Sequence, residues 1–413
     1  MWRKAAAFLF AAFQLHAQSA ADEANKELPK WLRVGGEYRA RYEAILDRSF
    51  VPGQDDAYFL NRLRVNLQIR PVSWMKFVFQ GQDVRIFFNQ KVPDAPPNFN
   101  PMDLRLGYVE LGDSEHGTAA LRAGRQEIAF GDLRLLGPTN WTNQARSFDA
   151  VRVTLRHLGY RLDLFSSSVV VPSTTAFDRP QAGNNLHGLY GGIEKLVPGA
   201  VIEPYLLWRV APHIDFKTIG ARWVGKIHGG IDYGVEMAGE TGTVHAWAGH
   251  WVAGYRLANH AWKPRWSAEY NYASGDRDPH DGRIETFDQL YPTAHDKYGV
   301  TDLVGWRNIH DVRFGCEVKP TPKLLVWSNY HNWWLASARD ALYSGNSAVL
   351  AVSADGSAGR HVGQEIDLQG VYTLTKQTQA GVGVGHIFPG GFLKHATPGR
   401  AYTYPYLMLN YTF

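Results

Sequence analysis

Residues 31–43 read WLRVGGEYRARYE, and alternate residues in this stretch share the same character. Successive side chains of a β-strand point to opposite faces, so the stretch predicts a strand with one apolar face and one charged face. The apolar face comprises Leu32, Val34, Tyr38, Ala40 and Tyr42, and the charged face comprises Arg33, Glu37, Arg39, Arg41 and Glu43.

Residues 62–70 repeat this pattern. Leu63, Val65, Leu67 and Ile69 alternate with Arg62, Arg64, Asn66, Gln68 and Arg70. In a soluble β-sandwich the charged face would meet bulk water, whereas in an outer-membrane barrel it would meet a water-filled lumen. The function depends on which of these two environments the charged face occupies.

The overall composition favours the barrel. Aromatic residues make up 13% of the 413 residues, yet no apolar run reaches the roughly 20 residues that a membrane-spanning helix needs. Such a composition suits strands that face lipid on one side, with Trp and Tyr at the membrane interfaces. The net charge of +4 does not indicate a nucleic-acid partner. The single cysteine, Cys316, excludes an intrachain disulfide.

The amino terminus predicts export. Arg3 and Lys4 precede an apolar run over residues 5–15, and small residues follow as far as Ala21. This layout is typical of a secretory signal peptide. We therefore predict a signal peptide over residues 1–21 and a single barrel domain over residues 22–413, which reaches the bacterial outer membrane through the periplasm.

Segments with a period of two predict an all-β fold, a transmembrane antiparallel up-and-down β-barrel of about 18 strands, with segments that include 119–130 and 186–195. The connections alternate between short turns and long loops, as in outer-membrane barrels. The long loops are 44–57, 89–102, 131–146, 170–185, 276–305 and 335–360. Two connections on the long-loop side, near Pro212 and at 241–243, are short and break the rule.

The last predicted strand, 401–413, also has the character of a barrel strand. Leu407, Leu409 and Tyr411 share a face with Phe413. An amphipathic strand that ends in Phe resembles the signal read by the barrel assembly machinery, which we therefore expect as a partner.

Two internal blocks carry a family resemblance. The first comprises Gly124-Arg125-Gln126-Glu127, Phe130-Gly131-Asp132-Leu133-Arg134-Leu135, Trp141-Thr142-Asn143 and Arg146-Ser147-Phe148-Asp149. The second comprises Tyr272-Ala273-Ser274-Gly275-Asp276, Thr286-Phe287-Asp288-Gln289-Leu290-Tyr291-Pro292 and Asp302-Leu303-Val304-Gly305-Trp306-Arg307-Asn308. Their order and spacing resemble the bacterial alginate-export family of outer-membrane barrels. The resemblance implies an eighteen-stranded barrel whose arginine-rich lumen passes an anionic polysaccharide.

Candidate site residues follow from the strand faces and from the two blocks. Arginine suits a uronate polymer because its planar fork donates two hydrogen bonds to a carboxylate and stays charged. We expect the lumenal path to include Arg33, Arg39, Arg41, Arg62, Arg64, Arg125, Arg152 and Arg156. The resemblance marks Asp132, Arg134, Trp141, Asn143, Arg146, Asp149, Asp276, Asp288, Arg307 and Asn308 as motif residues in loops.

Two points about these arginines stay open. Arg125 is assigned to the lumen because alternation from Ile128 and Phe130 places it opposite that apolar pair. Inward arginines also pair with inward carboxylates and stiffen a barrel wall without contacting any solute. The candidate partners are Glu37, Glu43, Glu127, Asp163, Glu236 and Glu269.

No cofactor, metal or catalytic group is expected. Asp276, Asp278 and Asp281 resemble the start of a calcium loop, but Phe287 stands where an EF-hand has its Glu, which favours a solvated loop over a Ca²⁺ site at 276–305. The sequence contains neither an H-E-x-x-H helix nor a G-x-S-x-G elbow. We therefore do not expect an enzyme.

We expect an outer-membrane channel that passes an anionic, uronate-type exopolysaccharide outward. One alternative is an uptake porin for small anionic solutes or oligosaccharides, and a second is a membrane-embedded barrel enzyme that acts on lipid or glycan. The expected partners are outer-membrane lipid and lipopolysaccharide, the assembly machinery, the polysaccharide and periplasmic secretion proteins, without nucleic acid.

Overall fold

The computed structural model describes residues 20–413. Residues 1–19 of the predicted signal peptide lie outside the described residues, so the signal peptide remains a prediction. Helix α1 (Ala20–Glu27) leads into the first strand, and a second short helix, α2 (Gly391–Ala396), precedes the last strand. Within residues 20–413, no helix has the length and apolar character needed to cross a membrane.

Eighteen long strands form the body of the molecule. In chain order they are β1 Leu32–Ile45, β2 Asp56–Val72, β3 Met75–Phe87, β4 Asn100–Gly112, β5 Ala119–Gln126, β6 Phe148–His157, β7 Tyr160–Val171, β8 Arg179–Ile193, β9 Ala200–Ala211, β10 Ile214–Ile227, β11 Ile231–Gly242, β12 Ala246–Arg256, β13 Arg265–Ala273, β14 Ile309–Thr321, β15 Leu324–Leu335, β18 His361–Thr373, β19 Thr378–Pro389 and β20 Tyr402–Thr412. A small hairpin of β16 (Leu342–Tyr343) and β17 (Val349–Ala351) lies in the loop after β15.

The eighteen strands form one closed antiparallel barrel. Each strand pairs with its neighbours in the chain, and β1 also pairs with β20 from Glu37 opposite Thr412 to Glu43 opposite Tyr406. Closure satisfies the backbone hydrogen bonds that lipid cannot satisfy. The predicted eighteen-stranded barrel is confirmed.

The two faces of each strand are sorted as the alternation predicts. Arg39 and Arg62 lie inside the barrel with 4% and 3% of their surfaces exposed. Val65 and Leu407 point outward and are 48% and 57% exposed, as expected of side chains that meet lipid. The charged face of residues 31–43 therefore faces the lumen.

The connections are sorted between the two ends of the barrel. The long-loop rim carries the connections 46–55, 88–99, 127–147, 172–178, 274–308, 336–360 and 390–401, and the other end, the short-turn rim, carries turns such as 73–74 and 158–159. Two predicted boundaries are wrong by several residues. Strand β5 ends at Gln126 instead of residue 130, and β8 begins at Arg179 instead of residue 186.

Gly36 lies at the seam where the barrel closes. Its N–H donates to the Phe413 carbonyl at 2.7 Å, and the Phe413 N–H donates back to the Gly36 carbonyl at 3.0 Å. A Cβ atom at Gly36 would lie 2.4 Å from the Arg64 carbonyl oxygen and 2.4 Å from the Phe413 ring. Since backbone cannot move aside as a side chain can, the seam requires glycine here.

We predict that Gly36→Ala destabilises the barrel by about 1–3 kcal/mol, because overpacking forces the seam apart. The measurement is the urea concentration at which the folded band is lost in unboiled electrophoresis. Gly239→Ala is the matched control, since a Cβ at Gly239 meets no atom within 4 Å. Equal stability of the two variants would contradict this account of the seam.

Candidate transport path

The connection between β5 and β6 folds into the barrel instead of extending into solvent. This inward loop, residues 127–147, contacts β1 and β2 through Asn140 and Thr142. It also contacts β13 on the far side through Arg134. The inward loop therefore crosses the lumen from one wall to the other.

Arginines of β1 and β2 hold one end of the inward loop by its backbone. The Arg39 guanidinium donates to the Asn140 and Thr142 carbonyls, both at 2.9 Å. Arg62 donates to the same two carbonyls at 2.9 and 3.2 Å. Arg64 donates to the Asn140 side-chain oxygen at 3.1 Å. The predicted path arginines thus share their donors with the inward loop.

Trp141 is the aromatic centre of this contact. Arg41 donates to the Trp141 carbonyl at 2.6 Å, and its guanidinium lies 4.1 Å from the centre of the indole ring. The Trp141 ring also stacks on His295, with 3.8 Å between ring centres and 4° between planes. His295 belongs to loop 274–308, so Trp141 connects the inward loop and loop 274–308 to the wall formed by β1.

The arginines at this contact outnumber the carboxylates that pair with them. The five arginines here are Arg39, Arg41, Arg62, Arg64 and Arg105. Three of them have a carboxylate partner, in the pairs Arg41–Glu43, Arg62–Glu37 and Arg105–Glu127. Within residues 20–413, Arg39 and Arg64 have no carboxylate oxygen within 4 Å. The buried Nε of Arg39 and Nη2 of Arg64 also lack any hydrogen-bond acceptor. Buried positive charge without a partner is costly, so this region is suited to receive anions.

The opposite end of the inward loop meets acidic groups. Arg134 donates to Glu269 at 2.9 Å and to the Tyr298 hydroxyl at 3.0 Å, and it lies 3.2 Å from Asp132. Burial disfavours the charged guanidinium, but Tyr298, Glu269 and Asp132 raise the pKa of Arg134 well above its ordinary value. Acidic residues predominate on the inward face of this wall, on β11–β18, and they include Glu236, Glu240, Glu269, Asp311, Glu365 and Asp367.

Three other predicted path arginines also lie on inward faces. Arg152 contacts Asp163 at 2.7 Å, and Arg156 donates to the Ser114 carbonyl at 3.1 Å near the short-turn rim. Arg33, near the start of β1, donates to the Pro29 carbonyl at 2.8 Å. Solute contact by these arginines remains a prediction.

Arg125 lies on the outward face, so its assignment to the lumen is wrong. Gln126, next to it, is fully buried inside, and Arg125 forms an ion pair at 2.8 Å with Asp149. Asp149 lies on β6, so its predicted position in a loop is also wrong. The alternation counted back from Ile128 and Phe130 does not apply, because the strand ends at Gln126 and those two residues belong to the inward loop.

The carboxylate partners are mostly as predicted. Five of the six candidates form ion pairs with arginine: Glu37, Glu43, Glu127, Asp163 and Glu269. Glu236 instead accepts a hydrogen bond from Tyr205 at 3.1 Å. Wall pairing therefore accounts for part of the arginine set, and a path for anions remains a prediction for the rest.

Further inward arginines were missed by the sequence argument. Each of them forms an ion pair with a carboxylate, and they include Arg105, Arg122, Arg161, Arg209, Arg222, Arg256, Arg265 and Arg313. Period-two alternation was available as a signal for Arg122 and Arg161, which have apolar neighbours on either side. Arg105 lies at a register shift between β3 and β4, where simple alternation fails.

The remaining motif residues of the first block anchor the inward loop. The Asn143 side-chain amide donates to the Asn61 and Arg85 carbonyls at 3.0 and 3.2 Å. Arg146 donates to the Gly137 and Pro292 carbonyls, both at 3.0 Å. Burial lowers the pKa of Arg146 to about 10. Burial opposes the ionisation of Asp132, but Arg134 and then Lys297, at 3.1 Å, lower the pKa of its carboxyl below the ordinary value.

The motif residues of the second block fasten loop 274–308 to its neighbours. The Asn308 side chain donates to the Ser337 and Ala341 carbonyls at 3.1 and 2.9 Å. The Asp276 N–H donates to the Asp340 carboxylate at 2.9 Å, and the Arg209 guanidinium donates to the Asp288 carboxylate at 2.9 Å. The Arg307 guanidinium lies 4.6 Å from the centre of the Tyr343 ring. These residues position the loops, and two of them, Arg307 and Asp288, also lie 3.9 Å apart.

The acidic stretch considered for calcium is engaged in turns. Asp276, Asp278 and Asp281 each accept a backbone N–H from the residue two positions later. In the part of the chain that the structure describes, no group of three or more His, Cys, Asp or Glu side chains is placed to hold a metal ion.

A cavity of about 300 Å³ lies among the loops of the long-loop rim. Asp103, Arg105, Arg146 and Asp178 are among its lining residues. Asp178 lies in loop 172–178 and accepts hydrogen bonds from Asn100 and from Gln144 of the inward loop, both at 3.0 Å. Burial, together with the neighbouring Asp103 carboxylate, raises the pKa of Asp178 to about 6.

We predict that Asn143→Asp loosens the inward loop, because a carboxylate cannot donate to the carbonyls that the amide now satisfies. An unpaired buried carbonyl costs about 1–3 kcal/mol, so amide hydrogen exchange over 138–146 should accelerate by about tenfold or more. Asn346→Asp is the control, since Asn346 only accepts hydrogen bonds, from Ser344 and Ala348. Unchanged exchange in Asn143→Asp would show that other contacts hold the loop.

The raised pKa of Asp178 predicts a pH-dependent attachment of loop 172–178. The folded loop binds more protons than the released loop between the ordinary pKa of 3.8 and about 6. The attachment is therefore strongest at low pH and weakens as the pH rises through that window. Hydrogen exchange of 172–178, corrected for intrinsic rates, should show more protection at pH 5 than at pH 7. Asp178→Asn should remove this difference, and its persistence would refute the assignment.

Comparisons with known proteins bear on this geometry. The model of the alginate export family matches residues 30–405. The solved structures that share the fold include Pseudomonas aeruginosa OccD3 (OpdP), which is 12% identical, with a TM-score of 0.60 and coverage of 94% of this chain and 92% of that chain. Acinetobacter baumannii OccAB1 is 11% identical, with a TM-score of 0.62 and coverage of 93% of this chain and 97% of that chain. Pseudomonas aeruginosa OpdQ is 11% identical, with a TM-score of 0.63 and coverage of 94% of this chain and 99% of that chain. Comparison with curated protein sequences finds no match.

At 11–12% identity, these solved structures show the fold alone. The family match covers nearly the whole chain and includes both sequence blocks. This family match, together with the shared barrel fold, supports an outer-membrane channel. The chain belongs to the alginate export family.

Proposed function

We propose that this barrel passes an anionic, uronate-type polysaccharide outward across the outer membrane. The observation that carries the proposal is the pair of buried guanidinium groups, Arg39 and Arg64, that have no carboxylate within 4 Å in residues 20–413. They lie on the inward face where the inward loop meets the wall. The family match supports the same class of solute.

The contacts of the inward loop suggest how a path opens. Asn140 and Thr142 offer neutral carbonyl oxygens to Arg39 and Arg62. Hydrogen bonds from a guanidinium to a carboxylate are roughly twice as strong as bonds between neutral groups. Carboxylates of an entering polymer therefore replace the loop carbonyls and release this end of the loop.

Passage also requires that no site hold the polymer too tightly. The inward arginines lie at several heights, from Arg33 near the short-turn rim to Arg41 towards the long-loop rim. Several weak sites favour movement over retention. A polymer supplied from the inner membrane would reach the short-turn rim first, with periplasmic secretion proteins as its guides.

An uptake porin for small anionic solutes is the second candidate. The observation that favours it is the contact between two loops inside the barrel, since Trp141 of the inward loop stacks on His295 of loop 274–308. A small solute needs less displacement of these loops than a polymer does. Both candidates use the same arginines and differ in solute size and direction.

The test is single-channel conductance in a planar bilayer. We expect an anion-selective current that polyuronate blocks and that dextran of matched length does not block. Arg39→Gln combined with Arg64→Gln removes two positive charges, so the block by polyuronate should weaken by about tenfold or more, at roughly 1.4 kcal/mol per tenfold. Arg283→Gln, in the exposed part of loop 274–308, is the control for net charge.

Other outcomes would overturn the proposal. A cation-selective current, or equal block by dextran, would exclude a path for anionic polymers. Flux of short uronate oligomers without any block by the polymer would favour the uptake porin. Release of polymer from a producing strain only when the chain is present would support the outward direction.

A further inference from the structure

Three side chains form a polar patch on the outward face of the barrel. This rim patch consists of Tyr270 on β13, His310 on β14 and Arg360 just before β18. Ile309 and Asp311, on either side of His310, are fully buried inside, so His310 points outward. All three residues lie near the long-loop rim, at the level where outer-membrane barrels meet the outer leaflet.

Hydrogen bonds fix the direction of donation within the rim patch. Arg360 Nη2 lies 2.9 Å from His310 Nε2, and a guanidinium can only donate, so Nε2 is the acceptor. A neutral imidazole then carries its proton on Nδ1, which lies 2.7 Å from the Tyr270 hydroxyl and donates to it. The Tyr270 O–H is left free to donate outward.

Arg360 also has N–H groups that are available to a ligand. Its Nε donates to the Leu335 carbonyl at 2.7 Å, and one Nη2 hydrogen is engaged by His310. Three of its five N–H groups therefore stay available. Together with the Tyr270 hydroxyl, they form a cluster of donors with a net positive charge.

The charge of Arg360 is not balanced by a carboxylate. Two other outward-facing arginines near this rim are paired, Arg85 with Asp83 and Arg125 with Asp149, each at 2.8 Å. Within residues 20–413, Arg360 has no carboxylate oxygen within 4 Å.

The surroundings of the rim patch are those of a lipid interface. The outward positions of β13, β14, β15 and β18 carry no acidic residue, and Tyr272 and Trp334 are among them. Tyr and Trp mark the height of the lipid head groups in barrels. The anions that Arg360 faces at this height therefore include those of the lipid head groups.

We propose that the rim patch binds a phosphate group of lipopolysaccharide in the outer leaflet. A guanidinium fork matches the oxygens of phosphate with two parallel hydrogen bonds, and the Tyr270 hydroxyl adds a third donor. The patch faces away from the lumen. The inference therefore goes beyond the proposed channel function and does not depend on which solute passes.

The test is binding of lipopolysaccharide to the folded full chain in a neutral detergent. We expect the wild type to bind lipopolysaccharide at least tenfold more tightly than the same lipid with its phosphates removed. Arg360→Gln should abolish most of this preference, and Tyr270→Phe should weaken it several-fold. Arg283→Gln, which removes a charge from an exposed loop at the same rim, should bind like the wild type.

A further variant and a competition experiment distinguish a lipid site from a site for charge or phosphate alone. Arg360→Lys keeps the charge but loses the planar fork of donors, so its affinity for lipopolysaccharide should fall between those of the wild type and Arg360→Gln. If Arg360→Gln does not fold, Arg360→Lys replaces it in the comparison with the wild type. Inorganic phosphate alone should not compete at millimolar concentration, and equal affinity for it would refute the lipid assignment.

Equal weakening by Arg283→Gln and Arg360→Gln would reduce the effect to net charge and overturn the proposal. Polyuronate block of the conductance should be the same in Arg360→Gln and in the wild type. Failure of the lipid site and failure of the channel function are therefore distinguishable.

Discussion

Lipid offers no hydrogen-bond partners to a polypeptide backbone, and this constraint determines the rest of the structure. Eighteen strands satisfy it by closing on themselves, with β1 paired to β20. Once the sheet is closed, every second side chain must face lipid and the others must face the interior. The position of Arg39 inside and Val65 outside follows from closure together with alternation, and not from any local preference of these residues.

Closure gathers charge that would otherwise be dispersed on a surface. Arginines of β1, β2 and β4 come together with fewer carboxylates than guanidinium groups. The chain offsets part of this excess with peptide carbonyls from its own inward loop, at Asn140 and Thr142. Carbonyl dipoles compensate only partly, since within residues 20–413 the Arg39 Nε and the Arg64 Nη2 still lack acceptors. The inward loop is therefore both a structural partner of these arginines and a replaceable one.

Strand positions and the direction of most side chains were predictable because a period of two has a direct physical meaning in a sheet. The prediction for Arg125 failed because alternation says nothing about where a strand ends, and β5 ends at Gln126. The path of the inward loop was not predictable either, since its main acceptors are backbone carbonyls, which every residue carries. Motif residues such as Asn143 and Asn308 did mark the loops, and their role is to anchor them to neighbouring backbone.

The division of the lumen into an arginine-rich wall on β1–β10 and an acidic wall on β11–β18 has a consequence for anything that enters. Opposite charges on facing walls produce an electric field across the axis of the barrel. Such a field acts on the dipole of a molecule as well as on its net charge. A molecule with a carboxylate on one side and hydroxyl donors on the other would turn so that its carboxylate faces β1 and β2 and its donors face Glu269 and its neighbours. A lumen with such a field distinguishes molecules by the orientation of their charges and dipoles, and not only by their net charge.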